Sequence, residues 1–115
     1  MKRYEEKRPW GKFEQFTHDE VSTVKIITVK PGCRLSLQYH NKREEFWRFL
    51  DNPAKVTIGK KTWKVKAGDE VFIPKKTLHR VEGLGKEARW VEISFGKFDE
   101  KDIVRVEDDY GRIKK

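Results

Sequence analysis

The sequence predicts an all-β domain, a sandwich or a barrel. Apolar residues alternate over short runs, turn residues interrupt those runs at intervals of roughly eight to twelve positions, and no stretch keeps a helical apolar period. Taken in order, the expected strands are Lys12 to Phe16, Val24 to Lys30, Arg34 to His40, Glu45 to Leu50, Ala54 to Ile58, Thr62 to Lys66, Glu70 to Ile73, Leu78 to Glu82 and Ala88 to Phe95. Each is closed by turn chemistry: Pro31-Gly32, Asp51-Asn52-Pro53, Gly59-Lys60-Lys61, Ala67-Gly68-Asp69, Pro74-Lys75-Lys76 and Gly83-Leu84-Gly85. Gly59-Lys60 is the expected tip of a hairpin. Val56 and Ile58, Trp63 and Val65, Val71 and Ile73, and Val91, Ile93 and Phe95 are expected to supply core faces between two sheets. Asp99 is placed to cap one helical turn through Asp102, after which Ile103 to Val106 reads as extended.

A chain of 115 residues holds one domain. It divides into an N-terminal segment over 1–11, a barrel over 12–98 and a C-terminal segment over 99–115. No apolar run is long enough to cross a bilayer, and the charged start lacks the profile of a signal peptide, so a cytoplasmic protein without membrane contact is expected. The one cysteine, Cys33, has no internal disulfide partner and reads as a packing residue.

Lys and Arg number 27 against 19 Asp and Glu, a net charge of +8, which favours anionic partners. The basic residues are interleaved with acids and form no stripe with alternating aromatics, so nucleic acid is not expected as a partner. A small phosphorylated or carboxylated ligand fits the charge, and most individual lysines are solvated surface.

Strand parity singles out one constellation. Leu35, Leu37 and Tyr39 point one way while Ser36, Gln38 and His40 point the other. Imidazole, amide and carboxylate groups directed into a barrel are costly unless something coordinates or hydrogen-bonds them, and Gln38, His40, Glu45 and His79 form such a set. One divalent ion is therefore expected, with Zn²⁺, Mn²⁺, Fe²⁺, Co²⁺ and Ni²⁺ all compatible with two nitrogen and two oxygen donors. His18 reads as a surface residue. The four tryptophans are core by default, with Trp47 the exception because it shares parity with Glu45. Glu92 shares parity with Trp90, where a carboxylate must either pair with a cation or be poised for proton transfer.

Gly32-x5-Gln38-x-His40-x4-Glu45 and Gly68-x5-Pro74-x4-His79 resemble the paired motifs of the cupin superfamily. Gln38 in place of the first histidine, Arg8-Pro9-Trp10-Gly11 before the motifs and Arg105-x-Glu107-Asp108-x-Tyr110-Gly111-Arg112 after them make the chain similar, from Arg8 to Arg112, to the type II mannose-6-phosphate isomerase domain. That domain is usually the C-terminal part of a bifunctional mannose-1-phosphate guanylyltransferase and isomerase. No Gly-rich phosphate loop leading into a helix occurs here, so the resemblance implies a free-standing isomerase or a descendant of one.

The resemblance implies a cupin barrel and metal-dependent interconversion of mannose 6-phosphate and fructose 6-phosphate. Glu92 would carry the proton between C1 and C2, with Glu44 as the fallback. Arg8, Arg105, Tyr110 and Arg112 from the terminal segments, with Trp47, are the expected sugar-phosphate contacts, and Lys75, Lys76 and Arg80 are the alternative phosphate ligands. Phe46, Gly83 and Ser94 stand where the family typically carries His, Asn and Gln. These departures keep open a non-catalytic cupin binding a sugar or small anion, and a metal-dependent dioxygenase. A homodimer paired through sheet edges is the expected assembly.

Overall fold

A computed structural model describes residues 3–113 of the chain; Met1, Lys2, Lys114 and Lys115, at the ends of the expected terminal segments, lie outside the described residues. Eleven strands and no helix occur among the described residues. The strands are β1 (Tyr4–Arg8), β2 (Gly11–Gln15), β3 (Ser22–Val29), β4 (Leu37–Tyr39), β5 (Glu44–Phe49), β6 (Ala54–Ile58), β7 (Lys61–Val65), β8 (Glu70–Ile73), β9 (His79–Gly83), β10 (Ala88–Phe95) and β11 (Val104–Glu107). One sheet has the order β3-β10-β5-β8 and the other β11-β4-β9-β6-β7, while β1 and β2 form a separate hairpin. Every pairing is antiparallel.

The two sheets close on an aromatic and β-branched core. Trp47, Phe49 and Trp90 are at most 1% exposed and pack ring against ring, with Val56, Val65, Ile73 and Val81 around them. Removing one of these large aromatic side chains costs about 3–5 kcal/mol in comparable cores. The core fills one end of the barrel. Toward the other end the inward positions of the same strands turn polar, with Glu45 following Trp47 on β5, and Glu92 and Ser94 following Trp90 on β10.

The Gly59-Lys60 hairpin forms as expected, with Gly59 at φ 60° joining β6 to β7. Ala54–Ile58, Glu70–Ile73 and Ala88–Phe95 match their expected bounds. Four expectations need correction. The expected strand from Arg34 to His40 contracts to Leu37–Tyr39 plus a single bridge from Arg34 to Glu82, because the Arg80 guanidinium takes the carbonyl of Leu35. Tyr4–Arg8, read as an irregular terminal segment, pairs residue for residue with β2. Val91, Ile93 and Phe95 lie on the outer face of β10, opposite Trp90, Glu92 and Ser94; Val91 and Ile93 line a 270 Å³ cleft with Phe16, Phe46 and Leu50. Trp63 shares the face of Val56 but stands on edge strand β7, where it is 40% exposed, and Trp10 in the β1–β2 turn is 73% exposed.

Asp99 caps a single turn through its bond from Lys101 N, and Asp102 N closes that turn on the Asp99 carbonyl. The turn delivers Asp102 and then β11 to the rim of the polar end of the barrel.

Candidate metal centre and cavity

His40 follows β4 and His79 opens β9, directly opposite Gln38 in the ladder, while Glu45 enters from β5 in the other sheet. All three side chains are essentially buried, and one donor atom from each lies within 4.8 Å of the others. His40 Nε2 is 3.3 Å from Glu45 Oε2, and His79 Nε2 is 3.8 Å from Glu45 Oε1.

The backbone selects the tautomers. His40 Nδ1 lies 2.6 Å from the Asp102 carbonyl and His79 Nδ1 lies 2.9 Å from the Thr77 carbonyl. A carbonyl only accepts, so each Nδ1 carries the proton and each Nε2 turns a lone pair to the centre. Burial pushes both imidazoles below their ordinary pKa, which keeps them neutral near pH 7. His79 Nε2 has no hydrogen-bond partner at all among the described residues. A buried, unpartnered lone pair facing a second imidazole and a carboxylate suits a divalent cation, and His40, Glu45 and His79 form a group able to hold one ion.

Gln38, the fourth expected ligand, sits beside this group with its amide engaged elsewhere. Its Oε1 accepts from Ser36 Oγ at 2.5 Å, and its Nε2 faces His40 Nε2 at 3.5 Å. Turning the amide over would direct the oxygen to the centre, and such a turn is an assignment made from neighbours rather than from atoms that differ in shape.

Glu92 lines the cavity next to Glu45, and one indole N–H serves both, Trp47 Nε1 lying 3.2 Å from Glu45 Oε1 and 3.2 Å from Glu92 Oε1. Burial, the Glu45 charge and a hydrogen bond to Glu45 raise Glu92 to about 8. Glu45 is lowered despite its own burial; charge on the facing His79 and His40 contributes most where they are protonated, and the bond with Glu92 and the permanent charge of Arg43 persist once the imidazoles are neutral. The two carboxyls are thus pushed apart, Glu45 toward the ionised form and Glu92 toward the protonated one.

A cavity of about 830 Å³ opens from this group between the sheets, walled by Gln38, Arg43, Glu45 and Glu92 at its base and by Lys25, Phe98, Arg105, Tyr110 and Arg112 toward its rim. Its size is that of a small-molecule site. Arg105 pairs with Gln38 through the β11–β4 ladder, while its guanidinium makes no hydrogen bond or ion pair among the described residues and its buried Nε is unpartnered. Arg112 is committed to Asp108 through Nε at 2.8 Å, and Tyr110 Oη donates to the Arg34 carbonyl at 3.0 Å.

The remaining expected residues sit elsewhere. Arg8 is on the β1–β2 hairpin beside Glu6 and Phe13, Glu44 lies on the opposite face of β5 from Glu45, and neither lines the cavity. Trp47 is buried behind the two carboxylates rather than presented to a ligand. Arg80 is held by Glu107 and the Leu35 carbonyl, and Lys75 and Lys76 occupy the exposed turn before β9. His18 is exposed, as expected. Phe46 packs on Phe16 outside the barrel, and Ser94 is buried opposite Glu45. Gly83 is explained by space: a Cβ there would lie 2.2 Å from the Lys30 carbonyl oxygen. The residue that sequence reasoning missed is Arg43, which bonds to both His40 and Glu45. Its place two residues before Glu45, on the same strand side, was the available signal.

Two packed antiparallel sheets with a His40, Glu45 and His79 group able to hold an ion at the open end define the class: a cupin, or double-stranded β-helix. Solved structures with this fold include an uncharacterised Klebsiella pneumoniae protein with a double-stranded β-helix domain, at TM-score 0.67 and 18% identity over 77% of this chain and 79% of that one. Oxalate decarboxylase from Bacillus subtilis is also similar, at TM-score 0.68 and 24% identity over 76% of this chain and 24% of that one.

The particular family is set by sequence: over residues 2–108 the chain matches, and belongs to, the family described as mannose-6-phosphate isomerase C-terminal. The alginate biosynthesis protein AlgA of Pseudomonas aeruginosa is 40% identical over 107 residues, covering 91% of this chain and 22% of AlgA. The mannose-1-phosphate guanylyltransferase ManC of Salmonella typhimurium is 39% identical over 108 residues, covering 92% of this chain and 22% of ManC. The chain thus spans less than a quarter of the length of these curated relatives.

Proposed function

We propose that this domain is a metal-dependent aldose–ketose isomerase acting on a sugar 6-phosphate, interconverting mannose 6-phosphate and fructose 6-phosphate. The observation that carries the reading is the pair of carboxyls of Glu45 and Glu92, gathered on one Trp47 N–H in the wall of a cavity next to three metal-type ligands, with Glu92 raised to about 8. The reaction takes a proton from one of C1 and C2 and returns it to the other, with a matching proton shift between O1 and O2; Glu92 must start that cycle as the carboxylate, a form that a value of about 8 keeps within reach near neutral pH. A cation held by His40, Glu45 and His79, with Gln38 as a fourth ligand once its amide turns, would polarise the substrate oxygens. Glu92 gives and takes the proton at its carboxyl oxygen, and Trp47 fixes that carboxyl by its N–H. Arg105, unpaired on the rim, receives the phosphate with its planar fork.

A homodimer joined across the outer face of the β3 edge is part of this proposal, because Val24 and Ile26 are 60% and 62% exposed on that edge strand. A cytoplasmic setting agrees with a sugar-phosphate substrate.

The test is a coupled isomerase assay on protein reconstituted with each candidate metal, run with Glu92→Gln beside the native chain. The native protein should turn over and the variant should lose about 10²- to 10⁴-fold while keeping its metal. Ligand binding without turnover would favour the sugar- or anion-binding reading, and oxygen uptake without isomerisation the dioxygenase reading.

A further inference from the structure

His40 Nε2 has one lone pair, because its Nδ1 carries the proton given to Asp102. Two donors face that lone pair, the Gln38 amide Nε2 at 3.5 Å and, closer, the Arg43 guanidinium. Arg43 Nη2 lies 3.2 Å from His40 Nε2, Arg43 Nε lies 3.2 Å from Glu45 Oε2, and Arg43 Nη1 reaches the Asp99 carbonyl at 3.2 Å. The guanidinium is also seated against the Phe98 ring, 4.4 Å from its centroid, so it is held on several sides. It forms part of the cavity wall, whereas His40 and His79 do not line the cavity. A permanently charged donor therefore stands between the cavity and the imidazole that faces it.

We propose that Arg43 is a displaceable cap on the metal centre: its guanidinium donates to the ligating lone pair of His40 and must leave it for a cation to bind. This inference rests on reading His40, Glu45 and His79 as a metal site. One lone pair cannot accept a hydrogen bond and donate to a metal at once, so the two states exclude each other at His40. Glu45 differs, because it has a second oxygen and can keep Arg43 Nε while serving a cation. Arg43 is thus a positioning residue that sets how readily the centre loads, and its retreat is toward the cavity it already lines.

The experiment is a zinc titration against a chromophoric chelator, comparing the native chain with Arg43→Met and with Lys25→Gln. Lys25 lines the same cavity and also lies over the Phe98 ring, with no hydrogen bond or ion pair to the three residues, so its loss reports the effect of charge alone. Removing a charged hydrogen bond that must be broken should tighten zinc binding by about tenfold or more in Arg43→Met, against about twofold or less in Lys25→Gln. Equal affinity, weaker affinity, or an equal gain in Lys25→Gln overturns the cap. A native chain that binds no zinc overturns the underlying metal reading instead, which keeps the two failures apart. A second measurement needs no variant: Arg43 Nη protons, slow to exchange in the metal-free protein, should exchange at least about tenfold faster once zinc is bound. Unchanged protection in the zinc-loaded protein overturns the cap even where Arg43→Met does not fold.

Discussion

Glu45 and Glu92 accept from the same indole N–H, each at 3.2 Å from Trp47 Nε1, and their ionisations are pushed in opposite directions, Glu45 down and Glu92 up. The consequence is measurable in the metal-free protein. Glu92 should titrate at about 8, read from its side-chain carboxyl carbon by NMR, and Glu45→Gln should bring that midpoint down by removing the neighbouring charge. A native midpoint at the ordinary 4.5 would mean that the two carboxyls are not pushed apart.

The same site sets how stability follows pH. His40 and His79 are held below 6.5 in the fold, so their contribution is present above 6.5 and is lost as pH falls through the lowered folded values. Glu92 acts with the opposite sign. Its folded value lies above its unfolded 4.5, so its contribution declines as pH rises toward about 8. Metal-free protein should therefore be most stable near pH 6.5 in urea melts. Glu92→Gln should flatten the alkaline limb and steepen the acid limb above about 4.5, where Glu92 opposes the two histidines.

Metal content should depend on the two inward histidines and not on the third. Elemental analysis should find one ion per native chain, with His40→Ala and His79→Ala losing it and exposed His18→Ala retaining it. Retention by both inward variants would remove the site assignment. Loss of affinity on acidification below about 6.5 should accompany the native site, since protonated imidazole cannot ligate.

The arginines of the C-terminal segment should separate in kinetics. Arg105→Ala should raise KM for a sugar 6-phosphate by roughly tenfold, about 1.4 kcal/mol, because its fork is unpaired at the cavity rim. Arg112→Ala breaks a pair with Asp108 and should chiefly lower Tm. An equal rise in KM for both would show that Asp108 releases Arg112 to the substrate.

Gly83→Asn, which would restore the residue typical of the family, should not be benign. A Cβ at this position meets the Lys30 carbonyl oxygen at 2.2 Å and its carbon at 3.1 Å, both backbone atoms that cannot turn away. Strain of this kind costs about 1–3 kcal/mol, visible as a lower urea midpoint. An unchanged midpoint would mean that the Pro31-Gly32 turn yields easily.

Sequence alternation located the barrel well where one face is plainly apolar, as in Ala54–Ile58, where Ala54 and Val56 are fully buried. It misread β10, because Trp90, Glu92 and Ser94 look less like a core face than Val91, Ile93 and Phe95, and only the second sheet decides which side is inside. Tyr4–Arg8 escaped notice since charged, exposed strands carry no apolar signal. Spacing alone placed His40, Glu45 and His79 together. Arg43 stayed hidden in a run of mixed charge that resembles solvated surface until the histidine lone pair beside it was seen.

Asp102, in the turn that precedes β11, ties the C-terminal segment to the imidazole of His40. Its carbonyl holds the His40 proton at Nδ1, while its carboxylate receives the N–H groups of Asn41 and Lys42 at 2.9 Å each. A deletion that removed residues from Asp102 onward would leave the three ligating side chains in the sequence yet free His40 to rotate or change tautomer. The functional boundary of the domain therefore falls beyond its last ligand, and a graft of the two ligand motifs onto another barrel would have to carry this distant turn with it.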